Sequence, residues 1–255
     1  MEYFDEYDYI YGVETVDYLY GLETVDYIYG YGGDDYIYSG YGDDWTYGGY
    51  GSDIIYSGYG DDWTYGGYGV DIIYGQVGSD ILYGEYGADD LYGGAGIDKL
   101  YGGAGRDDLY GGAGRDRIFG GTSADNIYGG AGSDRLAGGS GGDTFYFTQG
   151  TSGLIPGTVD VITDWVGAYD VIDMPVAGTF YNYGEAGTTA TSIAQAANEA
   201  TSWFPDPSVQ HVFLYNPYID KGYLVSDLNG DGAFETGVVL NKAGYASDFD
   251  YFNIV

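Results

Sequence analysis

The chain has 255 residues, and its 49 glycines and 34 tyrosines indicate a repetitive architecture. Forty acidic residues against seven basic ones give a formal charge of −33, which repels nucleic-acid phosphates and anionic membranes and attracts cations. The absence of cysteine excludes disulfides and thiolate chemistry. The sequence predicts neither a transmembrane segment nor an N-terminal signal peptide, because no long apolar window and no basic start are present.

A nine-residue repeat runs without insertion from Tyr3 to Tyr146, a span of sixteen repeats. The first, second and fourth positions are mostly glycine, as in GGAGRDDLY at 102–110, and the eighth is Ile or Leu in all but three repeats. The sixth position is aspartate in every repeat: Asp8, Asp17, Asp26, Asp35, Asp44, Asp53, Asp62, Asp71, Asp80, Asp89, Asp98, Asp107, Asp116, Asp125, Asp134 and Asp143. Such a strict period predicts a solenoid.

Each repeat is predicted to be a loop of six residues followed by a three-residue strand. Glycines allow the positive φ that a tight loop needs, and the last three positions are rich in strand-forming residues. Because strand side chains alternate, position eight is expected to face inward and positions seven and nine outward. Successive repeats would lie on opposite walls and bury their Ile and Leu rows, which gives a parallel β-roll of the all-β class with eighteen residues per turn.

Stacked turns bring aspartates eighteen residues apart onto one edge, where like charges repel unless a cation intervenes. Asp44 is expected above Asp62, and Asp53 above Asp71. Carboxylate and backbone carbonyl oxygens are hard ligands, suited to Ca²⁺ and not to zinc. The alternative is that these aspartates are solvated turn residues.

The repeats resemble the GGxGxDxUx nonapeptide of the RTX, or repeats-in-toxin, family, whose repeats form a calcium-bound parallel β-roll. The resemblance covers residues 3–146, which are predicted to form the roll domain 1–146, and it is most specific from 39 to 143. It implies several calcium ions, held by backbone carbonyls and by the aspartates Asp35, Asp44, Asp53, Asp62, Asp71, Asp80, Asp89, Asp98, Asp107, Asp116, Asp125, Asp134 and Asp143.

Some repeats depart from the family pattern. GVETVDYLY and GLETVDYIY, at 12–29, lack the loop glycines, so Asp17 and Asp26 are weaker calcium candidates. GQVGSDILY and GEYGADDLY lack the second glycine, and the repeat that begins at Gly120 lacks the fourth. These three later repeats are expected to bind calcium less well.

The outward positions predict an aromatic surface. Position nine is tyrosine in fourteen of sixteen repeats, and position seven is aromatic or apolar in the first nine repeats. An apolar surface of this extent is typical of an interface, although tyrosine also favours strands for its own sake. The predicted self-association residues are Tyr29, Tyr38, Trp45, Tyr47, Tyr56, Trp63, Tyr65, Tyr74, Tyr83 and Tyr92.

Charge and polarity along the predicted walls raise two further points. Position seven offers Lys99, Arg117 and Arg135 on one wall and acidic or amide residues on the other, which favours contacts between unlike surfaces of two copies. Thr46 and Thr64 occupy the inward eighth position one turn apart. Either their hydroxyls pair with one another inside the roll, or this wall turns locally so that the neighbouring tryptophans face inward.

The period stops after Tyr146, and residues 147–255 are predicted to form a capping and secretion domain. TVDVITDWVGAYDVIDM, at 158–174, resembles the segment after the roll in serralysin-type proteases and alginate epimerase modules. Residues 192–204 read as one amphipathic helix that begins at Ser192, and the rest reads as a closing antiparallel sheet, with strands at 212–216, 221–240 and 249–255.

Two features of this C-terminal region bear on calcium and export. Asp227, Asn229 and Asp231 could form a calcium loop, although a hairpin turn fits equally well and the spacing is not that of an EF-hand. The region also resembles the C-terminal domain of cyanobacterial-type RTX surface proteins. That resemblance implies export by the type I secretion machinery, from an uncleaved C-terminal signal, to the extracellular space or the cell surface.

No catalytic constellation emerges from the sequence. One histidine, His211, cannot build a three-histidine zinc site, and Ser140 of GGSGG lies within a nonapeptide rather than at a strand-to-helix elbow. The sequence therefore predicts a secreted calcium-binding structural protein that folds on extracellular Ca²⁺ and assembles into a homopolymeric filament, sheet or layer. The alternatives are a monomeric extracellular module that binds a polysaccharide or a surface, as an adhesin does, and the non-catalytic tail of an RTX enzyme.

Overall fold

The computed structural model describes residues 8–147, 159–166, 169–173, 183–187, 190, 192–203, 211–216, 218, 221–226, 234 and 236–241. The repeats form sixteen strands in chain order: β1 (Asp8–Tyr11), β2 (Tyr18–Tyr20), β3 (Asp26–Gly32), β4 (Tyr36–Tyr41), β5 (Trp45–Tyr50), β6 (Ile54–Tyr59), β7 (Trp63–Tyr68), β8 (Ile72–Val77), β9 (Ile81–Tyr86), β10 (Asp90–Gly96), β11 (Lys99–Ala104), β12 (Asp108–Gly114), β13 (Arg117–Thr122), β14 (Asn126–Gly132), β15 (Arg135–Ser140) and β16 (Thr144–Tyr146).

These strands wind into two parallel sheets. The odd-numbered strands up to β15 form one wall, called wall A, and the even-numbered strands up to β16 form the opposite wall, called wall B. Each strand pairs in parallel with the strand two places later, so that Trp45 lies beside Trp63 and Ile54 beside Ile72. The predicted all-β parallel roll with eighteen residues per turn is confirmed.

The strands are longer than the sequence predicted. β5 contains the last three residues of one repeat and the first three of the next, and Gly49 pairs with Gly67 of the following turn. A Cβ added at Gly67 would overlap the carbonyl of Gly49, so glycine at this position lets the two turns approach closely. The true turn is therefore about three residues, such as 51–53.

The core is the row of inward side chains at position eight. These side chains have no exposed surface: Ile28, Ile37, Ile55, Ile73, Leu82, Leu91, Leu100, Leu109, Ile118, Ile127 and Leu136. Burial of one such side chain stabilises the fold by about 1.5–3 kcal/mol. Leu19 of the second repeat is also buried in this core, so the prediction that position eight faces inward is confirmed from the second repeat onward.

Thr46 and Thr64 interrupt this row, and neither arrangement expected from the sequence occurs. Both threonines are buried, while Trp45 remains on the outer face of the strand, half-buried. The Thr46 hydroxyl hydrogen-bonds the Ser39 hydroxyl at 2.8 Å, and Thr64 pairs in the same way with Ser57. Each threonine thus finds its partner on the opposite wall rather than in the next turn, and both hydroxyls are satisfied.

The C-terminal elements continue the roll and close it: β17 (Asp160–Ile162), β18 (Val171–Asp173), β19 (Tyr183–Gly187), α1 (Ile193–Trp203), β20 (His211–Asn216), β21 (Lys221–Ser226) and β22 (Thr236–Asn241). β17 extends wall A, β18 extends wall B, and β22 joins β17 in parallel. β20, β21 and β22 form the predicted antiparallel sheet, whereas residues 249–255 lie outside the described residues. The strands of wall A continue from β15 into β17 without a break. The predicted domain boundary at residue 146 therefore stays a prediction.

The end of the roll is covered by apolar side chains of this region. Trp165, Phe213 and Leu224 are buried in the same cluster as the inward row, which meets the need of a solenoid for a cap. The helix α1 begins as predicted, where the Gln195 N–H donates to the Ser192 Oγ at 3.3 Å. Within the part of the chain described, no helix is long and apolar enough to cross a membrane.

Candidate metal sites

The sixth-position aspartates form two buried rows along the edges of the roll. In each regular repeat the backbone N–H of an aspartate donates to the Oδ1 of the aspartate eighteen residues later, as from Asp53 to Asp71 and from Asp44 to Asp62, both at 2.8 Å. The rows therefore bind each turn to the next. The sequence predicted the stacking of these residues but not this hydrogen bond.

The other carboxylate oxygen has no hydrogen-bond partner in the regular repeats. It is Oδ2, and it is buried at Asp35, Asp44, Asp53, Asp62, Asp71, Asp80, Asp89, Asp98, Asp107, Asp116 and Asp125. In the nine of these repeats that have glycine at the first position, Oδ2 lies close to that glycine, so that a Cβ at Gly75 would be 2.5 Å from the Oδ2 of Asp80. A buried polar atom without a partner is costly and calls for an explanation such as a missing cation.

Burial also raises the pKa of these carboxyl groups. The pKa of Asp62 rises to about 8, mainly because burial disfavours the charged form and also because Asp80 and Asp44 are negatively charged. The pKa values of Asp71 and Asp53 rise to about 7 and about 6, again chiefly through burial. These carboxyl groups ionise with difficulty in the absence of a cation, and a bound cation would stabilise their charged form.

The backbone conformation of the turn explains why these buried oxygens have no hydrogen-bond partner. Glycines at the second and fourth positions adopt positive φ, such as 115° at Gly49 and 131° at Gly51, a region that other residues rarely visit. Gln76, Glu85 and Ser123 take the same conformation where glycine is missing, with φ between 72° and 87°. The three repeats that depart from the pattern thus keep the backbone of a regular turn, and their weaker calcium binding stays a prediction.

The turns of the second and third repeats are different. The amide of Val13 donates to Oδ2 of Asp17 at 2.6 Å, and the amide of Leu22 donates to Oδ2 of Asp26 at 2.8 Å. These carboxylate oxygens are already satisfied by the protein. Asp26 keeps its other oxygen, Oδ1, buried without a hydrogen-bond partner, so the weaker calcium binding expected at Asp17 and Asp26 stays a prediction.

The donor set fits calcium. Among the described residues no group of three or more His, Cys, Asp or Glu side chains converges, so an ion at one aspartate would take most of its ligands from backbone carbonyls. Oxygen ligands with few carboxylates suit Ca²⁺, while zinc requires nitrogen or sulfur donors. Asp227, Asn229 and Asp231 lie outside the described residues.

The aspartate rows continue beyond the repeats, which the sequence prediction of sites missed. The amide of Asp134 donates to Oδ1 of Asp160 at 2.8 Å, and that of Asp143 to Oδ1 of Asp170 at 3.2 Å. Both partners are buried. The sequence carries a signal for them, because aspartates recur through 158–174, but the break in the nine-residue period hides their register with the rows.

The predicted self-association residues form ladders on the outer faces. Tyr47, Tyr65 and Tyr83 stack at 4.8 and 4.7 Å and are half-buried. The sequence does not predict a second and more exposed ladder, because its residues occupy position three, which has the composition of a loop but lies in the strand. It contains Tyr41 and Tyr59 on wall B and Tyr50, Tyr68 and Tyr86 on wall A.

The chain is similar to a known repeat family and to a solved structure. A search of curated proteins finds no match. Among solved structures the chain is similar to the AlgE6R3 subunit from the Azotobacter vinelandii mannuronan C5-epimerase, with 22% identity and a TM-score of 0.32 over 77% of this chain and 78% of that one. The family model of the RTX calcium-binding nonapeptide repeat matches residues 11–46, 38–67, 47–82, 65–100, 83–118 and 110–145. These segments cover more than half of the chain, which therefore belongs to the RTX calcium-binding repeat family.

Proposed function

We propose that this is a secreted, non-catalytic structural protein that folds on extracellular Ca²⁺ and self-assembles at the cell surface into a filament, sheet or layer. The observation that carries the proposal is the row of buried Oδ2 atoms without a partner, from Asp35 to Asp125. Family membership supports calcium as the cation. Secretion, surface location and assembly go beyond family membership.

The energetics favour folding that depends on calcium. Each buried oxygen without a partner costs about 1–3 kcal/mol, and more when it carries charge, whereas a whole domain is stable by only about 5–15 kcal/mol. Without a cation, the summed cost of these buried oxygens in the regular repeats therefore exceeds the net stability of a typical domain. Bound Ca²⁺ would neutralise the carboxylates and supply the missing partner, and a ligand that binds only the native state adds its binding free energy to folding.

This dependence suits export through the type I secretion machinery. A chain with unpaired acidic turns would remain unfolded at low cytosolic calcium and fold where calcium is abundant. The aspartates themselves hold the turns together through their Oδ1 atoms. Calcium would thus complete a scaffold whose register the protein already defines.

Exposed aromatic ladders support self-assembly. Tyr41, Tyr50 and Tyr59 are each more than half exposed, an unusual density of apolar surface for a protein that stays alone in solution. A monomer that binds polysaccharide through these ladders is the second candidate, favoured by an aromatic-lined cavity of about 310 Å³ on wall A. The two candidate functions predict different oligomeric states for the calcium-loaded protein without added glycan: assembled for the first and monomeric for the second.

Circular dichroism with calcium, with magnesium and with a chelator tests the folding proposal. We expect strand signal only with calcium, because Mg²⁺ prefers rigid octahedral sites and gives up its waters reluctantly. A roll that stays folded in chelator at neutral pH contradicts the proposal.

Electron microscopy of the same samples tests assembly. Ordered assemblies that disappear with chelator support the structural role. A calcium-folded protein that remains monomeric at high concentration, and is retained by immobilised polysaccharide, favours the second candidate.

A further inference from the structure

A trough runs along the outer face of wall A, parallel to the rod axis. Its floor is Gly49 and Gly67, and its cavity volume is about 310 Å³. Tyr31 occupies the same column one turn before this floor, and Glu85 occupies it one turn after. Both end residues have positive φ, 71° and 72°, and both line the trough. The trough is thus open for two turns and closed at each end.

A ridge of three tyrosines borders this trough. Tyr50, Tyr68 and Tyr86 are 65%, 49% and 55% exposed, and successive rings stack at 4.9 and 4.7 Å, nearly parallel. Each ridge residue directly follows a trough residue in the chain, so trough and ridge share the spacing of the turns. The ridge therefore presents one ring edge per turn to the solvent.

Trough and ridge complement each other turn by turn. The four successive pairs of trough and ridge residues are Tyr31 with Gly32, Gly49 with Tyr50, Gly67 with Tyr68, and Glu85 with Tyr86. Where the trough is filled by a ring, the ridge is missing, and where the trough is empty, the ridge has a ring. At the last pair, a carboxylate acceptor stands beside a phenol donor.

We propose that two copies of the chain pair side by side and parallel through wall A, each ridge lying in the trough of the other copy. This inference rests on the self-association part of the proposed function and names its surface. A two-fold axis parallel to the rod keeps every turn opposite the same turn of the other copy. Tyr50 and Tyr68 then lie over the glycine floor, and the Tyr86 hydroxyl donates to the partner's Glu85.

Other arrangements lose this match. A two-fold axis perpendicular to the rod, along the strands, places ridge against ridge and trough against trough. A second copy has the same spacing between turns, so its ridge stays in register with the trough at every turn. The glycine floor also gives the flat, side-chain-free surface against which rings pack in a tight zipper.

The area that this pair buries is sufficient for a specific dimer. Six ridge tyrosines, three from each copy, each have about half of a 150–250 Å² side-chain surface to bury. With an equal area of trough wall the total is roughly 1,200 Å², at the lower end of stable interfaces. Wall B carries a smaller version, in which Tyr41 and Tyr59 border a floor of Gly40 and Gly58, and its roughly 800 Å² is in the range of non-specific contacts.

Paired tyrosine variants on the two walls test the proposal in the full chain with saturating calcium. Tyr50→Ser with Tyr68→Ser removes most of the ridge on wall A, and Tyr41→Ser with Tyr59→Ser is the matched control on wall B. Sedimentation equilibrium should show dimerisation weakened at least tenfold by the first pair and less than threefold by the second. Equal weakening by both pairs, or none by the first, overturns the inference.

A cysteine cross-link tests the parallel geometry without altering the ridge. The chain has no cysteine of its own, and Ala104 lies one turn beyond Tyr86 in the ridge column, close to the proposed two-fold axis. Ala104→Cys should form a disulfide-linked dimer on mild oxidation at least tenfold faster than Ala95→Cys, its counterpart on wall B. An antiparallel pair would keep the two Ala104 positions apart, so a failure of Ala104→Cys to link a protein that does dimerise overturns the geometry.

These measurements separate the inference from the proposed function. Calcium-dependent circular dichroism of each variant reports folding alone and should match the wild type. If the wild type assembles but the ridge variant assembles equally well, the paired surface is wrong and self-association stands. If the calcium-folded wild type never associates, both are wrong and the calcium-dependent fold remains.

Discussion

The sixth-position aspartate makes different hydrogen bonds in the turns of the second and third repeats than in the later turns. At Asp17 and Asp26 one carboxylate oxygen, Oδ2, accepts a backbone N–H, from Val13 and Leu22 respectively. From Asp35 to Asp125 in the regular rows, Oδ2 is buried without a hydrogen-bond partner. One kind of turn satisfies this oxygen of its aspartate, and the other leaves it without a hydrogen-bond partner.

The difference arises from the residues around the aspartate. Gly49 and Gly51 hold the turn before Asp53 at positive φ. Val13 and Thr15 are not among the described residues with positive φ, and there the amide that follows the first glycine points at the carboxylate. Positive φ in the turn therefore accompanies an aspartate whose Oδ2 has no hydrogen-bond partner.

The largest expected effect comes from titrating the open carboxylates without calcium. The pKa values of Asp62, Asp44 and Asp53 are raised to about 8, 7 and 6 from an ordinary 3.8, so the folded state binds protons more tightly than the unfolded state. The stabilisation by protons is complete below about pH 4 and is lost as the pH rises through about 6 to 8. Circular dichroism in chelator should show strand structure near pH 4 and its loss near pH 8.

Calcium provides the control for this titration. With calcium saturating, the carboxylates are neutralised by the ion and strand structure should persist near pH 8. A calcium-free roll that is as stable near pH 8 as near pH 4 would show that the open oxygens impose no penalty.

Converting one kind of turn into the other should have an effect limited to one site. Gly58→Leu, Tyr59→Glu, Gly60→Thr and Asp61→Val together place the turn sequence of 22–25 before Asp62. The amide at 58 should then satisfy Oδ2 of Asp62, and isothermal titration calorimetry should show about one or two fewer calcium ions, because an ion between turns is shared by two of them. Asp61→Val alone is the control, and an unchanged ion count in the fourfold variant would contradict this account.

A smaller effect is expected from the polar pair in the core. Thr64→Val leaves the Ser57 hydroxyl buried without the partner it now has at 2.8 Å, which should lower the free energy of unfolding by about 1–3 kcal/mol. Adding Ser57→Gly should recover most of this loss, because neither polar group then remains. Denaturant unfolding in calcium measures both, and a double variant no more stable than the single one would argue against the pair.

The smallest effect is expected where a non-glycine residue holds the glycine conformation. Gln76 has a φ of 75°, which costs a residue with a Cβ about 1 kcal/mol. Gln76→Gly should raise the free energy of unfolding by up to that amount, while Gln76→Ala, which keeps the Cβ, should not. If both variants change stability equally, lost side-chain contacts rather than backbone strain account for the result.

The fold was largely predictable because its signals are local and repeated. Ile or Leu at position eight recurs in almost every repeat, and a single inward row accounts for the two walls and the turn length. The strand ends were less predictable. Gly48 and Gly49 have the composition of a loop, yet they lie in β5, because glycine here allows two backbones to approach rather than a chain to bend.

The candidate site was predictable in its residues but not in its chemistry. Asp62 could be placed in the row of candidate ligands from its position in the repeat, but whether its second oxygen has a partner depends on the backbone of the turn. Asp160 was not assigned, because it enters the same row after a gap of 26 residues rather than eighteen.

The sequence by itself determined the period, the inward row and the aspartate rows, because each follows from residue types at fixed positions along one strand or turn. Only the tertiary structure decided that Ser39 faces Thr46, that Tyr50 projects beside the empty floor at Gly49, and that the aspartates bind each other through Oδ1. These features join residues of opposite walls or of neighbouring turns. The distances between these residues depend on how closely the backbones of successive turns stack, and the sequence of a single repeat does not specify that spacing.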